Sequence, residues 1–174
     1  MITNDSSTYQ FLEELSRVLH AQRLTVVLAD AITHGAFAFA ASQHVRFGAL
    51  LETSMVFNTA HSLKTVLNVD VERQPMDQLS QSVGVEMARN ALDLSGASLA
   101  IALTQCSSKH IELPNCTVLG LHWWYKNRNN DMSSWMRSHQ AVVISNRDEL
   151  SDKLIEVVAH ETIKVLRLQQ IAPS

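Results

Sequence analysis

The chain has 174 residues and a mass of 19.4 kDa, the size of one ordinary domain that can bury a hydrophobic core. Hydrophobic residues make up 46% and charged residues only 18%, which excludes a disordered chain and predicts a single globular domain over residues 1–174. Fourteen Lys and Arg residues against seventeen Asp and Glu residues give a net charge of −3, which argues against nucleic-acid and anionic-membrane partners.

The first part of the chain alternates helical patterns with short apolar runs. Residues 8–23 repeat large apolar side chains at helical spacing, which predicts an amphipathic helix. The run LTVVLA at residues 24–29 is continuously apolar and rich in β-branched side chains, as is typical of a strand buried on both faces. We expect a helix over residues 36–46, a strand over residues 49–57 and a short helix over residues 59–67.

The middle of the chain contains the clearest second helix. Residues 68–76 have the composition of a loop, and residues 77–94 place apolar side chains on one helical face. Gly96 is a good C-terminal cap for this helix because glycine tolerates the left-handed conformation. The run LAIAL at residues 99–103 predicts a second strand buried on both faces.

The last part of the chain predicts a hairpin and a helix. The two strands of the hairpin cover residues 117–125 and 140–145, and the helix over residues 148–168 is capped by Ser145 or Asn146. Helices that alternate with buried strands predict an α/β fold, a three-layer α/β/α domain with a largely parallel mixed sheet.

The sequence also indicates a compartment. No apolar run approaches the roughly 20 residues of a membrane-spanning helix, and residues 1–10 lack the basic and apolar regions of a secretion signal. Cys106 and Cys116 are too few for a disulfide framework and fit a reducing environment. We therefore expect a cytoplasmic protein with no membrane partner.

Polar residues follow the strand ends, where ligands bind in such folds. The carboxylate of Asp30 either orients a ligand hydroxyl or amide, or is an acidic group that stabilises the next helix N-terminus. Thr33, His34 and Gly35 either present backbone N–H groups to a phosphate or form a plain connection between strand and helix.

The cysteines and histidines do not form a recognisable metal motif. Cys106, His110, Cys116 and His122 have the spacing C-x3-H-x5-C-x5-H, which matches no common zinc arrangement. We expect no metal and no cofactor. The run HWWYK at residues 122–126 mixes aromatic and basic side chains as single-strand binders do, but its alternation favours packing or a subunit contact.

Several stretches of the chain match one family pattern in the same order. The segment LSQSVGVEMARNALDLSGASLAIALT at residues 79–104 follows V-S-x-E-V-A-x-x-M-A-x-G-A-R-x-x-x-G-A-D-x-A-L-A-V-T without a gap. LADAITHG at residues 28–35 lies where that pattern has A-E-S-C-T-G-G, and residues 55–69 lie on V-V-A-Y-S-N-x-x-K-x-x-L-L-G-V. The chain thus resembles the C-terminal domain of the CinA (competence/damage-inducible) family, whose enzymatic members are nicotinamide mononucleotide deamidases.

The departures from the pattern concern the catalytic residues. The resemblance implies a serine nucleophile at the position of Ala31, and an activating tyrosine and lysine at the positions of Asn58 and Leu63. His34 replaces a glycine, and the glycine-rich loop after Thr104 has become QCSS. Since alanine has no hydroxyl, no catalytic residue is assigned.

The resemblance therefore predicts a catalytically degenerate relative of nicotinamide-nucleotide amidase that acts as a binding or interaction module, as a homodimer or higher oligomer. Its ligand is expected to be a nucleotide-like small molecule. The residues expected to line its pocket are Asp30, Thr33, His34, Gly35, Thr104 and Arg147. The alternative is an active amidohydrolase on nicotinamide mononucleotide or a related nucleotide, with Thr33 or Ser107 as a substitute nucleophile.

Overall fold

The computed structural model describes residues 7–71, 73–106, 116–127, 134–144 and 149–171. Its helices and strands are, in chain order, α1 (Ser7–Ala21), β1 (Val26–Asp30), α2 (Ala36–Gln43), α3 (Val45–Gly48), β2 (Leu51–Val56), α4 (Ala60–Ser62), a π-helical turn (Leu63–Leu67), α5 (Gln81–Ser95), β3 (Leu99–Gln105), β4 (Cys116–Tyr125), β5 (Trp135–Ile144) and α6 (Leu150–Ile171).

The strands form one five-stranded mixed sheet in the order β2-β1-β3-β4-β5. The central strand β1 pairs in parallel with β2 and β3, whereas β4 is antiparallel to both β3 and β5. Four of the five strands therefore run in one direction, and β4 alone runs against them. Helices cover both faces, which confirms the predicted three-layer α/β architecture.

The two faces of the sheet carry side chains of different size. On the first face, large residues of β1 and β3 such as Leu28 and Ile101 pack against α1, α2 and α6. On the second face, Ala29, Ala100 and Ala102 are completely buried in the cluster that contains the apolar side of α5. Small side chains allow close approach of a helix backbone, and so α5 packs tightly on β1, β3 and β4.

Two predicted helices have different bounds in the structure. The predicted helix over residues 36–46 is interrupted at His44, which is extended (φ −95°) and whose Nδ1 accepts the Phe47 N–H at 3.1 Å. α5 begins at Gln81 and not at residue 77, because the Leu79 N–H donates to the carbonyl of Gln105 at 2.9 Å. That hydrogen bond ties the segment before α5 to the end of β3.

The predicted C-terminal cap of α5 is confirmed, because Gly96 has the left-handed conformation with φ of 79°. The hairpin is also confirmed. Its second strand, β5, begins at Trp135, five residues before the predicted residue 140, because β5 pairs with β4 along its whole length. The predicted caps of the last helix, Ser145 and Asn146, lie outside the described residues.

A buried histidine is packed between two glycines where α5 crosses β4. A Cβ atom at Gly84 of α5 would lie 2.1 Å from Nε2 of His122. A Cβ atom at Gly120 would lie 2.3 Å from Oγ1 of Thr104 and 3.0 Å from the same His122 nitrogen. Only glycine fits at these two positions while the ring is in place.

We predict that Gly84→Ala lowers the free energy of unfolding by about 1–3 kcal/mol, because the added methyl group forces the His122 ring out of its place. The matched control is Gly48→Ala, where the nearest heavy atom lies 3.5 Å from the added Cβ and we expect a change within ~0.5 kcal/mol. Urea unfolding of both variants measures the difference, and equal losses in the two would contradict the packing argument.

Candidate functional site

The residues predicted to bind a ligand lie at the C-terminal ends of β1 and β3. These ends are adjacent, since Asp30 pairs with Leu103 and the Ala31 N–H donates to the Leu103 carbonyl at 2.9 Å. Their polar side chains nevertheless face opposite sides of the sheet. Asp30 continues the face of Leu28, and Thr104 continues the face of Ala102, so the structure separates them into two groups.

The first group is the loop of residues 30–35, which is organised around the carboxylate of Asp30. Oδ1 accepts the N–H groups of Ile32 at 3.0 Å and Thr33 at 2.7 Å. Oδ2 accepts the Gly35 N–H at 2.8 Å and the Thr33 hydroxyl. The side chain is fully buried, and these four donors replace the water that a carboxylate would otherwise require. The amide groups of Thr33 and Gly35 therefore face Asp30 and are not free to meet a phosphate.

The end of this loop exposes a histidine in an uncommon backbone conformation. His34 has φ of 51° and Gly35 has φ of 91°, both in the left-handed region. The ring of His34 is exposed, and its Nδ1 lies 2.8 Å from Oδ1 of Asn58, the residue that follows β2 and Phe57. Because an amide oxygen can only accept, Nδ1 of His34 is the donor of this hydrogen bond.

Two of the three positions that the resemblance assigns to catalysis carry buried apolar side chains. Ala31 is 7% exposed and belongs to the core on the α5 face, and Leu63 is completely buried in the same core. Lys64, the next residue along, is exposed and lies 3.3 Å from Asp70. Beside the Asn58 position, the loop of residues 30–35 presents the imidazole of His34.

The second group is a hydrogen-bonded chain of side chains on the α5 face of the sheet. Oγ1 of Thr104 lies 3.1 Å from Nε2 of His122, and Nδ1 of His122 lies 3.0 Å from Oγ of Ser138. Sγ of Cys106 lies 3.8 Å from the Thr104 hydroxyl. Burial lowers the pKa of His122 to about 4, so its ring is neutral at physiological pH. No local pattern in the sequence reveals this group, because its members come from three strands.

The aromatic run after His122 is used within the fold. Trp123 is completely buried, and its Nε1–H donates to the Thr162 hydroxyl at 3.0 Å. The guanidinium of Arg89 lies 5.9 Å from the ring centre of Trp124, and Tyr125 stacks on Trp135. These contacts follow the packing interpretation of the sequence.

Some predicted residues lie outside the described ranges, namely Arg147, Ser107 and His110. Among the residues that the structure describes, no three His, Cys, Asp or Glu side chains are placed to hold a metal ion. In the same ranges, no helix has the length and apolar character needed to cross a membrane.

We predict that Asp30→Asn lowers the free energy of unfolding by at least ~2 kcal/mol, since an NH2 group cannot accept the donors that now meet Oδ1 or Oδ2. The control is Asp93→Asn, an exposed carboxylate 3.9 Å from Nζ of Lys126, which should change stability by less than ~0.5 kcal/mol. Chemical denaturation of both variants at neutral pH tests the assignment, which fails if Asp30→Asn is as stable as the control.

We predict a stability loss on acidification that depends on His122. The pKa of its ring is about 4 in the folded protein and ordinarily 6.5, so between these values the unfolded chain binds more protons. The contribution of His122 to the free energy of unfolding is therefore fully present above pH 6.5. It falls by about 3 kcal/mol as the pH is lowered to 4. Unfolding measured from pH 7 to pH 4 should show this slope in the wild type and a flatter one in His122→Gln. Equal slopes in the two proteins would exclude His122 as the cause.

Comparison with known proteins shows which fold and family this arrangement represents. A CinA superfamily protein from Klebsiella pneumoniae superposes with a TM-score of 0.72 and 16% identity, over 93% of this chain and 99% of that one. A competence/damage-inducible protein from Agrobacterium tumefaciens superposes with a TM-score of 0.70 and 20% identity, over 96% of this chain and 99% of that one. At these identities the superpositions establish the fold.

The family is established by sequence. The comparison with curated proteins gave no match. The family model described as the CinA C-terminal domain matches residues 8–111, more than half of the chain. This match confirms the resemblance found in the sequence, and the chain belongs to the CinA C-terminal domain family.

Proposed function

We propose that this protein is a catalytically degenerate member of the CinA C-terminal family that binds a small ligand without hydrolysing it. The observation that carries the proposal concerns the position where the family pattern has its serine. In this chain that position is Ala31, whose side chain is a buried methyl group. Amide hydrolysis by a nucleophile needs a hydroxyl or thiol and a base that takes its proton. The loss of such a unit typically lowers the rate by several orders of magnitude.

The other two implied positions support the same conclusion. The side chain of Leu63 is buried in the apolar core, where it has no proton to exchange. The amide of Asn58 donates or accepts hydrogen bonds but does not act as a base near neutral pH. Neither Asn58 nor Leu63 can therefore activate a nucleophile, even if one were restored at Ala31.

The loop has nevertheless kept an organised shape, which supports a binding role. Asp30 and Thr33 hold the left-handed residues in place, and the ring of His34 is presented to solvent beside Asn58. We propose that His34 and Asn58 contact the ligand directly and that Asp30 shapes the loop. A nucleotide-like ligand would meet an imidazole and an amide here, with Arg147 as the predicted phosphate contact.

A second candidate function, hydrolysis by an activated water, is favoured by one observation. The oxygen of Asn58 holds the exposed ring of His34 through Nδ1, as an orienting group holds a general base. Under this hypothesis the protein remains an amidohydrolase with His34 as its base. The two candidates differ in whether ammonia is released.

The expected compartment and assembly also belong to this proposal. Both cysteines are free, as a reducing cytoplasm requires. We propose self-association through the edge strand β5, which exposes Val142 and Ile144 to solvent.

We predict that the purified protein releases no ammonia from nicotinamide mononucleotide above the blank, beside an active CinA-family deamidase as positive control. Ala31→Ser alone should recover little activity, because Asn58 and Leu63 are unchanged. Release near the rate of the control enzyme would contradict the proposal, and loss of that release in His34→Ala would establish the second candidate.

Ligand binding is tested by measuring the unfolding temperature with and without nicotinamide mononucleotide. A ligand present at a hundred times its Kd stabilises the folded state by about 2.7 kcal/mol. We expect stabilisation that is reduced in His34→Ala and kept in His20→Ala, an exposed histidine near the end of α1. An unfolding temperature that does not change on addition of nicotinamide mononucleotide would contradict the proposal that this site binds a nucleotide.

A further inference from the structure

The hydrogen-bonded chain on the α5 face has the parts of a nucleophilic site. Three adjacent strands supply it, since His122 of β4 pairs directly with Ser138 of β5 and with Ala102 of β3. Thr104 lies two residues beyond Ala102 on the same face. The sheet therefore holds a hydroxyl, an imidazole and a second hydroxyl in a row. Side chains on strands keep a fixed geometry, as catalytic sites require.

One tautomer of His122 allows its two hydrogen bonds to support base catalysis. The Ser138 hydroxyl can donate to Nδ1 of His122 over 3.0 Å, while the His122 Nε2–H donates to Oγ1 of Thr104 over 3.1 Å. The Thr104 hydroxyl can in turn donate to Sγ of Cys106 at 3.8 Å. In this tautomer the imidazole accepts a proton from Ser138, and Thr104 fixes the ring as an orienting group must.

The fold makes room for the imidazole at two positions. Gly84 on α5 and Gly120 on β4 both lack the Cβ atom that would collide with the ring or with its partner Thr104. The ring is 1% exposed and has both nitrogens hydrogen-bonded. Since burial lowers the His122 pKa to about 4, the ring is neutral at pH 7, and one of its nitrogens can accept the hydrogen bond of the Ser138 hydroxyl.

A small cavity opens beside the serine. It has a volume of about 260 Å³ and is lined by Gln81, His122, Ser138, His139 and Gln140. This lining holds two amides, two imidazoles and one hydroxyl, with no carboxylate, lysine or arginine side chain, which favours an uncharged ligand over an ion. Gln81 is the first residue of α5, so the positive end of that helix lies beside the cavity, where negative charge develops during acyl transfer.

We propose that Ser138 is the nucleophile of a second site that hydrolyses small uncharged acyl compounds, with His122 as base and Thr104 as positioning residue. Oγ of Ser138 bonds to the acyl carbon as its proton passes to Nδ1 of His122. The bond to the leaving group then breaks, and His122 returns the proton to that group. Water next attacks the acyl-serine ester and gives its proton to His122. His122 passes this proton to Oγ of Ser138 as the bond between Oγ and the acyl carbon breaks, which releases the acid and restores the serine hydroxyl.

This site is independent of the proposed function, because it lies on the other face of the sheet from Asp30 and uses none of the loop of residues 30–35. A failure of ammonia release or nucleotide binding therefore leaves it untouched. Likewise, the acyl test below does not involve Ala31, His34 or Asn58.

The test uses p-nitrophenyl acetate with the full chain. We expect a burst of p-nitrophenol and one acetyl group that peptide mass spectrometry places on Ser138. Ser138→Ala should lower the burst and turnover at least ~100-fold, and His122→Gln should do the same. The matched control is Ser54→Ala, a half-buried serine on the opposite edge strand β2 without a hydrogen-bond partner among the described residues, which should react like the wild type.

The role of Thr104 has its own readout. Thr104→Val removes the acceptor of the His122 Nε2–H, so kcat should fall at least ~10-fold with KM unchanged, and Thr104→Ser should restore it. Circular dichroism and thermal unfolding establish that each variant is folded before it is assayed. The proposal is overturned if the wild type shows no burst or is acetylated at another residue. It is also overturned if Ser138→Ala is folded and keeps the burst and turnover of the wild type.

Discussion

The arrangement at the end of the central strand depends on one buried carboxylate. Asp30 is fully buried, and three backbone amides and a hydroxyl donate to its carboxylate, which offsets the cost of burying this polar group. To aim those amides inward, the chain turns through left-handed conformations at His34 and Gly35. The same turn sets the start of α2 at Ala36, and the exposed ring of His34 is a consequence of it.

The sheet keeps two kinds of chemistry apart. Asp30 and Thr104 end neighbouring strands, but alternation along the strands sends their side chains to opposite faces. The α5 face has small side chains at Ala100 and Ala102, so a helix approaches closely and encloses His122. Among the described residues that the sequence predicted to bind a ligand, Asp30 and Thr104 therefore point to different sides of the sheet.

Local patterns in the sequence were sufficient for most elements. The helical spacing in α1 and α5, the apolar strands β1 and β3, and the cap at Gly96 each depend on residues close together in the chain. The start of β5 was not predictable, because its first residues alternate poorly and only pairing with β4 makes them a strand. The partners of His122 and of His34 are also distant in sequence, at Thr104, Ser138 and Asn58.

The residues that shape the loop are separate from the positions that the family pattern assigns to catalysis. The groups that shape the loop are Asp30, Thr33 and Gly35, and none of them is an implied nucleophile or base. At the implied catalytic positions, the buried side chains of Ala31 and Leu63 add apolar surface to the core, and a fully buried leucine contributes roughly 2 kcal/mol. A serine or a lysine there would instead require hydrogen-bond partners inside the protein. Residues that serve chemistry are often costly to stability, so apolar side chains at these two positions favour the fold.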